Sequence, residues 1–343
     1  KNKKIITKYN HSYFDRDLIF SNKKKNDEKF IFFLKKIIKF TLPKIFLENF
    51  NTLQENYLFL SWPKKPRYIL TTYPYYDELF KFYCAENYIL GSKIIIFQHG
   101  VDNIYKYDDW FPNKNFATTQ LGWGRNKKRG LNEFIFTKNF LFKKKKFKFY
   151  KNKKIIIILY SYNELINLPP DGYASTDNYN KIIFNFTVNF LNKIDKQMFN
   201  AIDLKAMQIT RFPILENSIK KKFKKIKFMG TEKSFLDVID QYNLSVHFFI
   251  GTTFFESLYL NKPTILIFNK EHHFELDERF TKFISKLIDK KICFKDLDKA
   301  VAFLNKNYLN LEIWWNNSKT QKIIDEFCNF YCKRSTDIRK DLR

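Results

Sequence analysis

The stretch Lys93-Ile94-Ile95-Ile96-Phe97-Gln98-His99-Gly100, with Leu121-Gly122-Trp123-Gly124 further on, decides how the chain is read. Ile94 to Phe97 is a short apolar run bounded by Lys93 and Gln98, the pattern of a strand buried on both faces. In open parallel sheets, ligands bind just beyond the carboxyl ends of the strands. Gln98 and His99 stand at such an end, and Gly100 leaves the backbone free to turn there. A second stretch, Phe248 to Ile267, repeats the pattern as strand, Gly251-Thr252-Thr253, helix, Pro263, strand. The two strand ends are expected to face one another across a single cleft.

Working outward, Tyr68 to Thr72 reads as a strand, Pro74 as a turn and Tyr75 to Tyr88 as an amphipathic helix. Asp77 and Glu78 sit in its first turn, where the helix dipole favours acids, and Gly91 ends it. With the strand Ile94 to Phe97 this makes a right-handed βαβ unit. Upstream, Phe30 to Phe50 carries apolar residues at helical spacing and reads as two helices broken by Pro43. Phe134 to Tyr150 is basic and aromatic, with Lys143 to Lys146 in a row; it reads as a solvated linker or a membrane-facing surface, and as the domain boundary.

Lys154 to Tyr160 is the plainest buried strand and opens the second domain. Helices are expected over Asp177–Asn192, Ser234–Tyr242 and Thr252–Leu260. Strands are expected over Ala206–Thr210, Ile226–Gly230, Ser245–Ile250 and Thr264–Phe268, and mostly helix from Glu275 on. The alternation predicts an α/β fold of two Rossmann-like, doubly wound domains. The divisions are a first domain over 1–150, a second over 151–310 and C-terminal helices over 311–343.

The chain has 343 residues and a net charge of +27, with Lys+Arg 62 against Asp+Glu 35. That balance favours anionic partners: nucleotides, nucleic acid or an acidic membrane surface. Abundant Lys, Asn, Ile and Phe also fit AT-rich coding, which would produce the same charge without a function. Beginning at Lys1 rather than a methionine reads as a fragment or a processed form. No secretory pattern and no apolar run of membrane-spanning length is present, so a soluble or peripheral protein is expected. Cys84, Cys293, Cys328 and Cys332 are scattered, which argues against a disulfide framework or a zinc site and for a cytoplasmic setting. Asp15-Arg16-Asp17 could hold a metal on a diphosphate, but no strand leads into it and it reads as a surface ion cluster. No metal site and no cofactor are expected. A Walker loop, a GxGxxG turn, a hydrolase elbow and a zinc-type cysteine pattern are all lacking, against kinase, dehydrogenase and hydrolase chemistry.

Gly251-Thr252-Thr253 leads into a helix, whose free N–H groups and dipole suit a phosphate; a plain N-cap reads equally well. Glu256, one turn inside, could meet a ribose hydroxyl or complement the dipole. His99 is the general-base candidate, because imidazole titrates near working pH; the alternative is a buried, hydrogen-bonded histidine. His247, inside an apolar strand, reads as core, and His272 and His273 as a loop pair that could lie near the cleft. Arg211, after a strand, could clamp a diphosphate or a sugar carboxylate, or simply be a surface arginine. Asp102, Asp108 and Asp109 follow His99; one could orient it or act as the base, or they form a solvated acidic loop. Gln98, Gly100 and Trp123 would shape the pocket.

The combination of Gln98-His99-Gly100, Leu121-Gly122-Trp123, Thr252-Thr253-Phe254-Phe255-Glu256-Ser257-Leu258, Asn261-Lys262-Pro263-Thr264 and Ile313-Trp314-Trp315 resembles bacterial transferases of surface-carbohydrate biosynthesis. These are similar to GT-B glycosyltransferases, capsule-linkage sugar transferases and teichoic-acid glycerophosphotransferases. The resemblance spans Arg67 to Cys332. It implies a GT-B-like pair of domains, a nucleotide-activated sugar as substrate and a glycan or lipid-linked acceptor. The enzyme would be cytoplasmic, in peripheral contact with an anionic membrane. A CDP-alcohol-dependent glycerophosphotransferase on the same scaffold is the alternative. A basic nucleic-acid-binding protein is the other, and nucleic acid is not expected as the partner. This chain carries Val101 where the family has a second glycine, which would stiffen or reshape the loop beside His99. It is also shorter at the N-terminus, so the first domain is expected to lack its first strands.

Overall fold

The computed structural model describes residues 16, 29–72, 74, 77–101, 104, 117–124, 132–133, 147, 149–151, 153–159, 176–206, 214–230, 232–267 and 276–334. The chain divides into two compact units, Lys1–Phe97 with Asn113–Thr119 and Gln98–Pro112 with Gln120–Arg343.

In the first unit, helix α1 (Lys29–Thr41) stops before Pro43, which has no N–H to continue it. A one-turn 3-10 helix (Lys44–Phe46) and a second α-helix, α2 (Phe50–Phe59), follow. The expected pair of helices over Phe30–Phe50 is therefore corrected: α2 begins where that pair was to end. Its buried face is Thr52, Leu53 and Asn56, too polar to give an apolar period. Arg16 ties this region together. Its guanidinium donates to the carbonyls of Lys39 (2.7 Å) and Leu42 (2.8 Å) and to Glu48 (2.5 and 2.7 Å). The Arg16 hydrogen bond holds the Glu48 carboxyl down at about 2.

Strand β1 (Tyr68–Thr71), helix α3 (Glu78–Ile89) and strand β2 (Lys93–Phe97) form the βαβ unit. The helix starts later than expected because Asp77 caps it, its side chain accepting from the Phe80 N–H at 2.8 Å. Gly91, at φ +94°, supplies the left-handed exit. β1 and β2 pair in parallel, Tyr68 opposite Lys93 through Thr71 opposite Ile96. Ile69, Tyr83, Cys84, Ile94 and Ile96 form their small core. Strands β3 (Thr119–Gly122) and β4 (Asn132–Glu133) also pair in parallel, and the sheet order is β1-β2-β3-β4.

The second unit holds a six-stranded, all-parallel sheet of β5 (Ile155–Leu159), β6 (Ile202–Ala206), β7 (Lys227–Met229), β8 (Leu244–His247), β9 (Thr264–Ile267) and β10 (Cys293–Phe294). Its helices are α4 (Thr176–Lys193), α5 (Lys196–Phe199), α6 (Ile214–Lys222), α7 (Phe235–Val238), α8 (Thr252–Tyr259), α9 (Glu278–Asp289), α10 (Leu297–Asn307), α11 (Leu311–Trp315) and α12 (Ser318–Tyr331). The strand order is β10-β9-β8-β5-β6-β7. The chain starts in the middle at β5, winds out to β7, returns beside β5 as β8 and winds out the other way. This is the order of a doubly wound, dinucleotide-type sheet, with its reversal between β5 and β8.

β5 is buried throughout. Ile155, Ile157 and Leu159 face one core with Phe190, Val246 and Ile265, and Ile156 and Ile158 face another with Phe235 and Val238. The strand expected over Ala206–Thr210 overlaps β6 only at Ala206; residues 207–210 lie outside the described residues, and β6 itself, with Asp203 and Lys205 buried inside it, was not expected. The stretch from Glu275 is mostly helical as expected, and it also holds β10, which pairs in parallel with β9.

Candidate functional site

The exit of β2 is held by one side chain. The Gln98 Oε1 accepts the backbone N–H of Trp123 at 2.9 Å, and its Nε2 donates to the Gly100 carbonyl at 2.6 Å. The Gln98 backbone N–H donates to Leu121 at 2.8 Å. Gln98 thus joins the end of one strand to the end of the next and closes the turn on itself. His99, between the two groups that Gln98 grips, is exposed to solvent. That excludes the buried-histidine alternative. Val101 (8% exposed) and Ile104 (fully buried) follow it into an apolar core that also holds Trp123, Phe254 and Phe255. Val101 therefore anchors the loop by its side chain. Trp123 is buried as well, so it shapes this corner from behind.

The second strand end lies at the reversal point of the six-stranded sheet. β8 ends at His247, Phe248-Phe249-Ile250 stay buried as the chain leaves the sheet, and α8 opens at Thr252 with Gly251 as N-cap. A Cβ on Gly251 would fall 2.2 Å from the Phe249 ring, so the close packing of this corner requires glycine. Thr252 and Thr253 occupy the first turn, part-exposed, and their N–H groups have no acceptor within the helix. Beneath them is a buried polar cluster. His247 Nδ1 lies 3.4 Å from the Thr253 hydroxyl and its Nε2 3.3 Å from the hydroxyls of Ser245 and Ser257; the Ser245 and Thr264 hydroxyls are 2.9 Å apart. Complete burial holds the His247 imidazole down at about 3, so it is a neutral ring. The strand position marked it as core, which it is; only the fold shows that it supports Thr253.

α8 is fixed from its other end. Arg334 donates to the carbonyls of Tyr259 (2.6 Å) and Leu258 and to Asp325 (2.6 Å), placing a cation on the negative end of the helix dipole. Asn261, with φ +57°, makes the turn into β9, and the indole of buried Trp315 donates to its carbonyl at 3.0 Å. Phe255, Phe280, Phe327 and Tyr331 pack α8 against α9 and α12. The chain beyond β3 meets the same helix α12: the Lys333 N–H donates to Trp123 at 2.6 Å, and a Cβ on Gly124 would lie 2.3 Å from the Phe330 carbonyl oxygen.

A family model described as LIC12162 family transferase matches residues 1–343. The chain belongs to the LIC12162 family of transferases. No curated protein matches the sequence. Among solved structures, the wall teichoic acid polymerase TagF is similar. A variant of it soaked with CDPG shows 8% identity over 80% of this chain and 70% of that one, with a TM-score of 0.45. A further TagF structure shows 11% identity over 73% and 66%, with a TM-score of 0.39.

In this LIC12162 family transferase the described candidates fall in one compact unit: Gln98, His99, Gly100, Trp123, Gly251, Thr252, Thr253 and Glu256. Glu256 is 2% exposed, enclosed within α8 rather than open to solvent. Asp102, Asp108, Asp109, Arg211, His272 and His273 lie outside the described residues. Sequence reasoning missed Lys205, which is 4% exposed near the carboxyl end of β6, with its Nζ 3.2 Å from the Gly230 carbonyl. Burial lowers its pKa. A cavity of about 490 Å³ opens at the opposite, amino-terminal edge of the sheet, lined by Lys151, Lys153, Lys154, Lys225 and Lys227 among others. None of the candidate residues borders it.

Proposed function

We propose that this transferase is a GT-B-like glycosyltransferase that moves a sugar from a nucleotide-activated donor to a hydroxyl of a surface-polysaccharide or lipid-linked acceptor. The observation that carries the reading is the shared core. Val101 and Ile104, just after His99, and Phe254 and Phe255, just after Thr253, belong to one apolar cluster. The imidazole and the helix mouth are thereby tied to the same packing. Gly251, Thr252 and Thr253 would hold donor phosphate through N–H and O–H groups, with the neutral His247 beneath Thr253. Arg211 would clamp the diphosphate, while Glu256, enclosed at 2% exposure, is withdrawn from the ribose role. Charge on the leaving nucleotide would be met by these fixed donors at the helix mouth. His99 would take the acceptor proton, oriented by Asp102.

The test is a thermal-shift panel of sugar nucleotides and CDP-glycerol, since a ligand of the native state raises its stability. A sugar nucleotide should raise Tm, and Thr253→Val should abolish the shift while leaving the ligand-free Tm within a few degrees. His99→Ala should keep the shift and lower turnover roughly a hundredfold or more. A shift with CDP-glycerol and none with sugar nucleotides would make the donor a CDP-alcohol. Undiminished turnover by His99→Ala would remove the base.

A further inference from the structure

Helix α1, Lys-Phe-Ile-Phe-Phe-Leu-Lys-Lys-Ile-Ile-Lys-Phe-Thr, is turned inside out for a protein in water. None of its residues is buried. Phe40 is 79% exposed, Phe30 66% and Phe33 55%, and Leu34, Ile37 and Ile38 are also in solvent. At about 100° per residue these side chains fall on one half of the helix circumference. Lys29, Lys35, Lys36 and Lys39 fall on the other half, and the helix contains no acid. The less exposed positions are Phe32, Lys35 and Lys39, on the lysine half. A helix that served only the fold would bury its apolar half and show its lysines. An exposed contiguous apolar face of this kind marks an interaction site.

We infer that α1 docks the protein on an anionic lipid bilayer, lying in the plane of the interface. At about 1.5 Å per residue its 13 residues span about 20 Å, short of the roughly 30 Å hydrocarbon core. Among the described residues no helix is long and apolar enough to cross a membrane. An in-plane helix has an apolar half that enters the acyl boundary and lysines that reach the phosphates. Charge selects the occupant. Four lysines and no acid on the helix, on a chain of net charge +27, are complementary to anionic headgroups and repel a second copy of the same surface. Arg16 and Glu48 hold the carboxyl end of α1 in place, so the face is presented by a fixed element. Phe134–Tyr150, the basic stretch read as a solvated linker or a membrane-facing surface, lies outside the described residues except at 147, 149 and 150.

The experiment is co-flotation of the full chain with vesicles of phosphatidylcholine alone and of phosphatidylcholine mixed with phosphatidylglycerol, at low and high salt. Binding should appear on the anionic vesicles and weaken with salt. The triple variant Phe30→Ser, Phe33→Ser, Ile37→Ser should lose roughly a hundredfold or more of the partitioning with its Tm unchanged, because these side chains are exposed. Phe33→Leu should retain binding, and Lys29→Glu with Lys36→Glu should abolish the preference for anionic lipid. Equal binding by the serine variant would overturn the proposal. So would a wild-type dimer that the serine substitutions dissociate with no vesicle binding by either form, since the occupant would then be a second copy. No donor takes part, so this result is separate from the transferase reading.

Discussion

Replacing Gln98 by alanine tests the idea that one amide side chain sets the position of His99. The substitution removes the 2.9 Å bond to the Trp123 N–H and the 2.6 Å bond to the Gly100 carbonyl. Trp123 is 4% exposed, so water cannot readily replace the lost acceptor. An unsatisfied buried donor costs about 1–3 kcal/mol. Gly100 is only partly buried, and its bond is worth about 0.5–1 kcal/mol. Together these give about 2–4 kcal/mol of local destabilisation, or roughly 30- to several-hundred-fold faster amide exchange at Trp123. Hydrogen exchange read by mass spectrometry on a peptide covering residues 119–124 would measure it. Gln98→Glu separates the two bonds: it keeps an acceptor for Trp123 but turns a carboxylate oxygen toward the Gly100 carbonyl. Its exchange should lie between wild type and Gln98→Ala. Wild-type exchange in Gln98→Ala, with Trp123 still protected, would show that Gln98 is not the staple.

Gly124→Ala should destabilise the second unit by about 1–3 kcal/mol, because the new methyl meets the backbone of Phe330 and Tyr331, which cannot swing aside; an unshifted denaturation midpoint would contradict the close approach. Trp315→Phe should cost about 1–3 kcal/mol through loss of the buried 3.0 Å bond to the Asn261 carbonyl, readable as a lower Tm, and a variant as stable as wild type would count against it. His247 titrates near 6.5 when unfolded and at about 3 when folded, so the folded state loses stability as pH falls below 6.5, by about 1.4 kcal/mol per unit down to about 3. His247→Asn should flatten that part of the Tm against pH curve, and an unchanged slope would place the acid sensitivity elsewhere.

How much of this was legible in the sequence follows from where each residue finds its partner. β5 is an unbroken apolar run and is buried throughout, and the apolar part of β9, Ile265–Ile267, is buried likewise. β6 was missed because Asp203 and Lys205 look like surface residues. Their partners are remote in the chain: the Tyr242 hydroxyl donates to Asp203 at 2.7 Å, and the Gly230 carbonyl accepts from Lys205. α2 was missed for a related reason, since it buries Thr52 and Asn56 with Leu53. The reversal between β5 and β8, which puts Gly251-Thr252-Thr253 beyond the carboxyl end of a strand at the switch point of the sheet, is a property of strand order. Reading elements one at a time cannot supply that order.

The motif residues divide once their contacts are known. Gln98 staples two strand ends, Trp123 and Val101 fill the core behind them, and Trp315 holds the Asn261 turn. Each of these positions fixes a backbone path. Sequence cannot make that separation, since a tryptophan in a core and one in a pocket are the same letter. Of the described candidates with a titratable or hydroxyl side chain, His99 is exposed and Thr252 and Thr253, in the first turn of α8, are part-exposed. A transferase needs a group that accepts a proton and a place that accepts negative charge. The open groups are of those two kinds, and both are held by packing in one unit of the chain. On this argument, changes at the buried motif positions should appear first as lost stability, and changes at His99, Thr252 and Thr253 as lost chemistry in a protein that still folds.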